Sequence, residues 1–192
     1  MKKRFLILTL CAALAAFPST LWAAPQAAQP PQTLCAAGGS SYIIDANHTL
    51  WAVGNNSQGQ LANGGQGNIK QKQTIVQTTP IKVLENVASV SSSGMHTLAV
   101  GTDGTLWGWG SNRAGQLGVG KTGDQVIAGW DEIQSKPVQI MTNVQTASAG
   151  NDFSLALKTD GTLWGFGIAD CLGLGNNGDV INPYVTDIDI NG

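Results

Sequence analysis

The stretch SSSGMHTLAVGTDGTLWGWGSNRAGQLG, residues 91–118, occurs in three versions along the 192-residue chain. A close copy, SAGNDFSLALKTDGTLWGFGIADCLGLG, begins at residue 148, and a weaker one, CAAGGSSYIIDANHTLWAVGNNSQGQLA, begins at residue 35. The shared Thr-Leu-Trp starts at positions 49, 105 and 162. A fixed period of this size indicates an array of one small structural unit, repeated along the chain.

Each copy has the chemistry of antiparallel strands. HTLAV and FSLAL are short apolar runs, and the TDGT that follows each of them predicts a two-residue Asp-Gly hairpin turn. TLWGWG and TLWGFG are typical of return strands, and PIKVL and PVQIM begin with a proline that the start or edge of a strand tolerates. One such sheet cannot bury its own Leu, Val and Trp side chains. We therefore predict an all-β fold of propeller blades packed face to face, with two full repeats and a partial third.

The repeats define the domain organisation that we expect. The first repeat covers about residues 34–90, the second 91–147 and the third 148–192. Residues 24–33 are predicted to be a linker between the repeats and the N-terminal segment.

The N-terminal segment, residues 1–23, is predicted to be a signal peptide. Lys2, Lys3 and Arg4 precede an apolar run over residues 5–17 that is too short to span a bilayer, and small residues follow near Ala23. The expected location is therefore secreted or periplasmic.

Charge and cysteine content limit the functional classes. The net charge is −2, from ten basic and twelve acidic residues, so a basic surface for nucleic acid is not expected. Beyond the signal peptide the cysteines are Cys35 and Cys171, and an exported protein is able to join them. The sequence leaves open whether they form a disulfide.

A phosphate-binding loop is suggested by GQLGVGKTGD, residues 115–124, which satisfies G-x-x-x-x-G-K-[ST]. The first four residues are repeat sequence, the equivalent loops lack the Lys-Thr pair, and no helical pattern follows. DIDING, residues 187–192, matches only half of a calcium loop. We predict no cofactor, no metal site, no catalytic residue and no enzyme activity, with His96 as a hydrogen-bonded structural residue.

These motifs resemble the regulator of chromosome condensation repeat family, in a bacterial, secreted form with an incomplete propeller. The resemblance covers roughly residues 34–192, and the third copy departs from the pattern at Phe153 and Cys171. The matching positions of the second copy are Ser91, Gly94 (shifted by one), His96, Thr97, Leu98, Asp103, Gly104, Trp107, Trp109, Gly110, Asn112, Gly115, Gln116, Leu117 and Gly118. Trp51, Trp107 and Trp164 recur with the repeat and are expected to be core residues, as is Trp109.

The resemblance implies a seven-bladed ring, for which the repeats in this chain are too few. Three interpretations remain open: the chain is a fragment, copies assemble, or the blades form an open array. Self-association through open blade edges is accordingly expected as one way of completing the fold.

Two inserts distinguish the repeats from one another, and inserts of stacked repeats often form the binding face. The first insert, NGGQGNIKQKQTIVQTT, is long and polar. The second, KTGDQVIAGWDEIQSK, contains Trp130, which has no counterpart in the other repeats and is the strongest candidate anchor. The candidate partner contacts are Lys70, Lys72, Ile75, Ile127 and Trp130.

The function expected from these observations is a non-catalytic, exported protein-interaction module with an unidentified protein partner. Family members exchange guanine nucleotide on a small GTPase or inhibit β-lactamases, so the resemblance implies an exchange-factor-like regulator as the first alternative. A non-functional remnant of a longer propeller protein is the second alternative.

Overall fold

The computed structural model of this protein describes residues 33–65, 76–119, 133–172 and 181–188. They form three four-stranded antiparallel sheets, which we call blade 1 (β1–β4), blade 2 (β5–β8) and blade 3 (β9–β12), and each blade runs in chain order. The strands are β1 Thr33–Ala37, β2 Ser40–Ile44, β3 Leu50–Asn55, β4 Val76–Leu84, β5 Val87–Ser92, β6 His96–Gly101, β7 Leu106–Ser111, β8 Ile133–Met141, β9 Val144–Ala149, β10 Phe153–Lys158, β11 Leu163–Ile168 and β12 Ile181–Ile188. A short 3-10 helix, Ala169–Leu172, follows β11.

The all-β fold of propeller blades is confirmed. The partial third repeat also contributes a four-stranded sheet, because residues 181–188 pair with β11 as β12. The repeat boundaries drawn at residues 90/91 and 147/148 fall inside β5 and β9, whereas the chain passes from one blade to the next before those strands. The proposed signal peptide lies outside the described residues, as does the proposed linker except for Thr33, which begins β1.

Stacking of the blades explains which strands are buried. Every residue of β6 is buried, because blade 2 lies between the other two blades. In β2 burial alternates along the strand, since another described sheet packs on only one face of blade 1. The two cores lie between neighbouring sheets: Tyr42 and Trp109 are central to the core of blades 1 and 2, and Leu98 and Phe166 to that of blades 2 and 3.

The first strands of the blades converge, which gives the stack its radial arrangement. β5 contacts both β1 and β9, and the Ala149 N–H donates a 3.0 Å hydrogen bond to Ser91 Oγ. Gly38 and Gly94 meet backbone to backbone, so that a Cβ on Gly38 would lie 2.5 Å from the Gly94 Cα. Ser91 thus lies on β5, the inner strand of blade 2.

The predicted two-residue Asp-Gly hairpin turn is wrong in one detail. The Gly104 N–H donates to Gly101 O (3.0 Å), and Gly104 itself has a φ of +78°. The loop therefore has three residues, a tight turn followed by one left-handed residue, which is a common hairpin connection. Gly161 takes the same position in blade 3, and His48 takes it in blade 1 with a φ of +59°.

No helix among the described residues is long and apolar enough to cross a membrane.

Candidate interaction surface

The N-x-x-G-Q-L segments of the repeats form rigid loops at the end of the third strand. Asn56 Oδ1 accepts the N–H of Leu61 at 2.9 Å, and Gln60 Oε1 accepts the N–H of Gln58 at 2.8 Å. Gly59 has a φ of +72°, which glycine adopts without strain. Both amide side chains thereby supply hydrogen bonds that a loop backbone lacks, so each loop holds its shape without strand pairing.

Blade 2 repeats this geometry closely. Asn112 Oδ1 accepts the N–H of Leu117 at 2.9 Å, and Gln116 Oε1 accepts the N–H of Ala114 at 2.9 Å. The equivalent glycine, Gly115, also has a φ of +72°. Gly115–Leu117, which open the apparent phosphate-binding motif, are therefore part of a repeat loop, whereas Lys121 and Thr122 lie outside the described residues.

The loop of blade 1 joins the first two sheets through one carbonyl. Gln60 O accepts the Tyr42 hydroxyl at 2.9 Å and the Trp109 indole N–H at 2.7 Å. The Thr97 hydroxyl donates to Tyr42 Oη at 2.9 Å, and the Gln60 side-chain amide donates to Gly94 O at 3.1 Å. All of these bonds are buried, and they lock the loop of blade 1 onto the middle strands of blade 2.

The loop of blade 2 joins the next pair of sheets in the same way. Gln116 O accepts the hydroxyl of Ser154 at 2.7 Å, and His96 Nε2 lies 2.8 Å from the same hydroxyl oxygen. Ser154 pairs with Phe166 across its hairpin, as Thr97 pairs with Trp109 in blade 2. Each junction thus uses one hydroxyl at a fixed register position and one loop carbonyl.

His96 is a structural residue, as predicted. It is fully buried, and burial lowers its pKa from 6.5 to about 4, so the ring is neutral at physiological pH. The Ser154 hydroxyl donates to Gln116 O and therefore accepts from the ring, which assigns the proton to Nε2. Nδ1 then accepts the hydroxyl of Ser93 at 3.0 Å.

The periodic tryptophans do not share one environment. Trp109 is fully buried as expected. Trp51, Trp107 and Trp164 are only half-buried, but Trp107 packs against the core of blades 1 and 2 and Trp164 against that of blades 2 and 3, so the expectation is met in part. Two of these indoles have polar partners: Trp51 Nε1 donates to Asp45 Oδ2 at 2.9 Å, and Trp164 Nε1 donates to the Thr162 hydroxyl oxygen at 2.8 Å. Lys158 lies 5.1 Å from the Trp164 ring centre.

Carboxylates lie in the hairpin turns, and their environment holds them ionised. The Trp51 side chain, as a hydrogen-bond donor, lowers the pKa of Asp45. The Thr105 backbone N–H lowers that of Asp103, and the Thr162 side chain lowers that of Asp160. A general acid requires the opposite shift, so these carboxylates serve as turn acceptors.

A groove of about 610 Å³ separates the outer strands of blades 1 and 2. Lys82, Lys136 and Trp107 lie along it. Gly64 also lines the groove, and its N–H donates to Ser135 O at 2.8 Å, which joins blade 1 to the outer strand of blade 2. Segment 66–75 leaves blade 1 at this point, so its attachment lies beside the groove.

The predicted partner contacts Lys70, Lys72, Ile75, Ile127 and Trp130 lie outside the described residues. The described strands fix only where their segments join the blades: 66–75 links β3 to β4, and 120–132 links β7 to β8. The sequence pattern did not identify Trp107 and Lys136 as groove residues, because their proximity depends on how the blades pack.

The described cysteines are free thiols. Cys35 is partly buried against the core of blades 1 and 2, while Cys171 is exposed at the 3-10 helix. Within the described ranges, no group of three or more His, Cys, Asp or Glu side chains is placed to hold a metal ion.

Comparison with known proteins agrees with the geometry. The family model described as Regulator of chromosome condensation (RCC1) repeat matches residues 47–100 and 103–157. Human Protein RCC2 is 32% identical over 148 residues, which is 76% of this chain and 26% of that protein. The mouse X-linked retinitis pigmentosa GTPase regulator is 32% identical over 149 residues, 74% of this chain and 14% of that protein.

Solved structures show the same fold. Prp20p from Saccharomyces cerevisiae superposes with a TM-score of 0.67 at 18% identity, covering 83% of this chain and 38% of that one. Human WBSCR16 superposes with a TM-score of 0.63 at 20% identity, covering 82% and 37%. The chain spans about a quarter of the length of the RCC2 proteins that it matches. The repeats, their connecting loops and these matches together place the chain in the regulator of chromosome condensation (RCC1) repeat family.

Proposed function

We propose that this chain is an exported bacterial protein-interaction module that carries out no catalysis. The observation that supports it most is the use made of the motif side chains. Gln60, Trp109, Gln116, Ser154 and His96 are buried in the blade junctions, where each holds one sheet to the next. The repeat motif is therefore committed to structure, and recognition falls to the segments that differ between repeats.

The proposed binding surface comprises the segments 66–75 and 120–132 and the groove between the outer strands of blades 1 and 2. Both segments join the third strand of a blade to its fourth strand, so they connect at the same end of neighbouring sheets. The groove adds an indole from Trp107 and an amine from Lys136. Aromatic and basic side chains at a sheltered site are typical anchors for a protein partner.

Site-specific photo-crosslinking tests this function directly. A photoreactive residue is placed at Lys72 or Trp130, with Thr102 as the control position, because Thr102 lies in the exposed turn at the opposite end of blade 2. The cross-linker is activated in the producing cells and in their medium. We expect a discrete adduct from positions 72 and 130 and none from 102.

A purified partner then allows a quantitative test. Trp107→Ala is expected to weaken binding at least tenfold, about 1.4 kcal/mol, with the thermal transition retained as evidence of folding. Adducts that form equally from all three positions, or from none, would overturn the proposal.

Export is tested separately from binding. We expect the accumulated protein to begin at Ala24 and to be found in the medium or periplasm. An intact N-terminus on protein recovered from the cytosol contradicts the export part of the proposal and leaves the binding test valid.

Nucleotide exchange on a small GTPase is the second candidate. Its support is the similarity to Protein RCC2 and to a protein whose name describes it as a GTPase regulator. Release of a fluorescent guanine nucleotide from purified small GTPases distinguishes the two. Acceleration that increases with the concentration of this chain favours exchange, and an unchanged release rate favours the interaction module.

A further inference from the structure

Blade 1 has one apolar face that no described residue covers. This incoming face, on the side away from blade 2, carries Leu34, which is 70% exposed, and Ile43, which is 46% exposed. On this face Ile43, Trp51 and Val53 line a groove of about 330 Å³. Leu34 and Ile43 pair across β1 and β2, so these exposed side chains form a contiguous apolar patch, a feature that association sites share.

Blade 3 has a matching face on its far side that no other described blade covers, and we call it the outgoing face. Leu155, Leu157 and Leu163 occupy it and are half-buried, whereas their equivalents in blade 2, Leu98, Val100 and Leu106, are buried against blade 3. The register supports this equivalence: Leu157 pairs with Leu163 as Val100 pairs with Leu106.

The two open faces are the complementary halves of an interface that the chain already forms twice. Ser41 pairs with Val53 across its hairpin, at the register position that Thr97 and Ser154 occupy in the other blades. Those two hydroxyls approach or bond the loop carbonyl of the preceding blade. The incoming face of blade 1 therefore offers the same hydroxyl, beside the same apolar positions, without a preceding blade among the described residues.

We propose that two copies of this chain associate head to tail, with the outgoing face of blade 3 in one copy packed on the incoming face of blade 1 in the other. This pairing repeats the arrangement of blades 1 and 2. Each new junction therefore buries apolar side chains at the same register positions as the junctions within one chain. Two such junctions join the six blades described in two copies into a ring, and this number lies within the four to eight that propellers contain.

The new junction is expected to be weaker than the junction of blades 1 and 2. Cys171 stands where Gln60 stands in the loop of blade 1, so the side-chain amide that Gln60 donates to Gly94 O of the next blade has no equivalent at the new junction. Pairing of two incoming faces is disfavoured by the same geometry, since it would place two Ser41 hydroxyls together without a loop carbonyl. The association is thus heterologous and reversible.

Face-specific variants distinguish this pairing from other forms of association. Ile43→Glu places a charge on the incoming face, and Leu155→Glu places one on the outgoing face. Thr102→Glu, in an exposed turn, is the matched control. Because Leu155 is half-buried, Cys171→Glu serves as a second outgoing-face variant at an exposed position. Circular dichroism and a thermal melt establish that each variant is folded.

The mass of the chain, as it accumulates in the producing cell, is measured by light scattering over a range of concentrations. We expect a dimer for the wild type and for Thr102→Glu, and a monomer for each face variant alone. An equimolar mixture of Ile43→Glu with either outgoing-face variant is expected to form a one-to-one dimer, since one intact pair of faces remains. A monomeric wild type, a face variant that still dimerises alone, or a mixture that stays monomeric would each overturn the proposal.

Discussion

The hydroxyl of Ser154 in blade 3 donates a 2.7 Å hydrogen bond to the main-chain carbonyl of Gln116 in blade 2. The same hydroxyl accepts the Nε2–H of His96, also from blade 2. Three groups that the repeat motif places 38 and 58 residues apart along the chain therefore meet at one buried point. Motif residues at these three positions thus join neighbouring sheets.

Removal of this hydroxyl is expected to weaken the junction of blades 2 and 3. Ser154→Ala leaves the Gln116 carbonyl and the His96 ring N–H without their partner, and a buried unsatisfied group costs about 1–3 kcal/mol. Denaturant unfolding measures the change in the free energy of unfolding. Thr102→Ala, in an exposed turn, is the control and should alter stability by no more than about 0.5 kcal/mol. Equal stability of the two variants would contradict the role given to Ser154.

The junction of blades 1 and 2 allows a double-mutant cycle. Tyr42→Phe and Trp109→Phe each remove one donor to Gln60 O, and each is expected to cost about 1–2 kcal/mol while the other donor remains. The double variant leaves that carbonyl only the Thr97 hydroxyl at 3.3 Å. Its loss of stability should exceed the sum of the single losses by at least about 0.5 kcal/mol. Strict additivity would show that the two donors act independently.

His96 predicts a dependence of stability on pH. Its pKa is about 4 in the folded protein and 6.5 as the unperturbed value, so between these pH values the unfolded chain binds a proton that the folded chain does not. Stability should therefore fall as the pH is lowered from about 6.5 to about 4, by a total on the order of 3 kcal/mol.

His96→Gln provides the comparison, because the amide retains hydrogen-bonding groups but does not titrate. Asp45, Asp103 and Asp160 have lowered pKa values, so their contribution to the stability of the protein is lost at still lower pH. They are present in both proteins. The difference between the two stability curves thus isolates His96. A difference that is constant from pH 7 to pH 4 would contradict a buried, neutral imidazole.

Two glycines with similar backbone angles separate close packing from turn geometry. Gly94 has a φ of +92°, and a Cβ on it would lie 2.6 Å from the Gly38 Cα. Gly161 has a φ of +90° and open space around it. Gly161→Ala is expected to cost about 1–2 kcal/mol for the left-handed conformation alone. Gly94→Ala adds a backbone clash and should cost clearly more stability, as measured by thermal unfolding. Similar losses of stability for the two variants would contradict a tight contact between the inner strands.

The repeat period made the blades predictable, because one sheet pattern recurs with its turns and prolines in the same places. The contacts at the blade junctions are harder to predict from the sequence. Gln60 binds the next blade through its main-chain carbonyl, and a pattern of side chains does not show which donors hydrogen-bond to a main-chain carbonyl. The length of the hairpin loop was misjudged because Asp103-Gly104 fits both a two-residue and a three-residue connection, and only the backbone angles separate them.

The partial exposure of the tryptophans has a different reason. Periodicity places Trp51, Trp107 and Trp164 at one position of the blade, but it does not report how much of that position the neighbouring sheets cover. The open faces of blades 1 and 3 also followed from stacking and not from composition, since their apolar positions repeat those that are buried between the other blades.

Hydrogen exchange measured by mass spectrometry tests most directly whether the motif loops join the sheets. The Leu61 and Leu117 amides lie outside the strands but donate to buried asparagine oxygens. We expect peptides that cover residues 56–61 and 112–117 to exchange as slowly as β6 and to lose protection together with it. Exchange of these peptides as fast as that of the exposed turn 159–162 would show that the loops open independently of the blades, and would contradict their role as connectors.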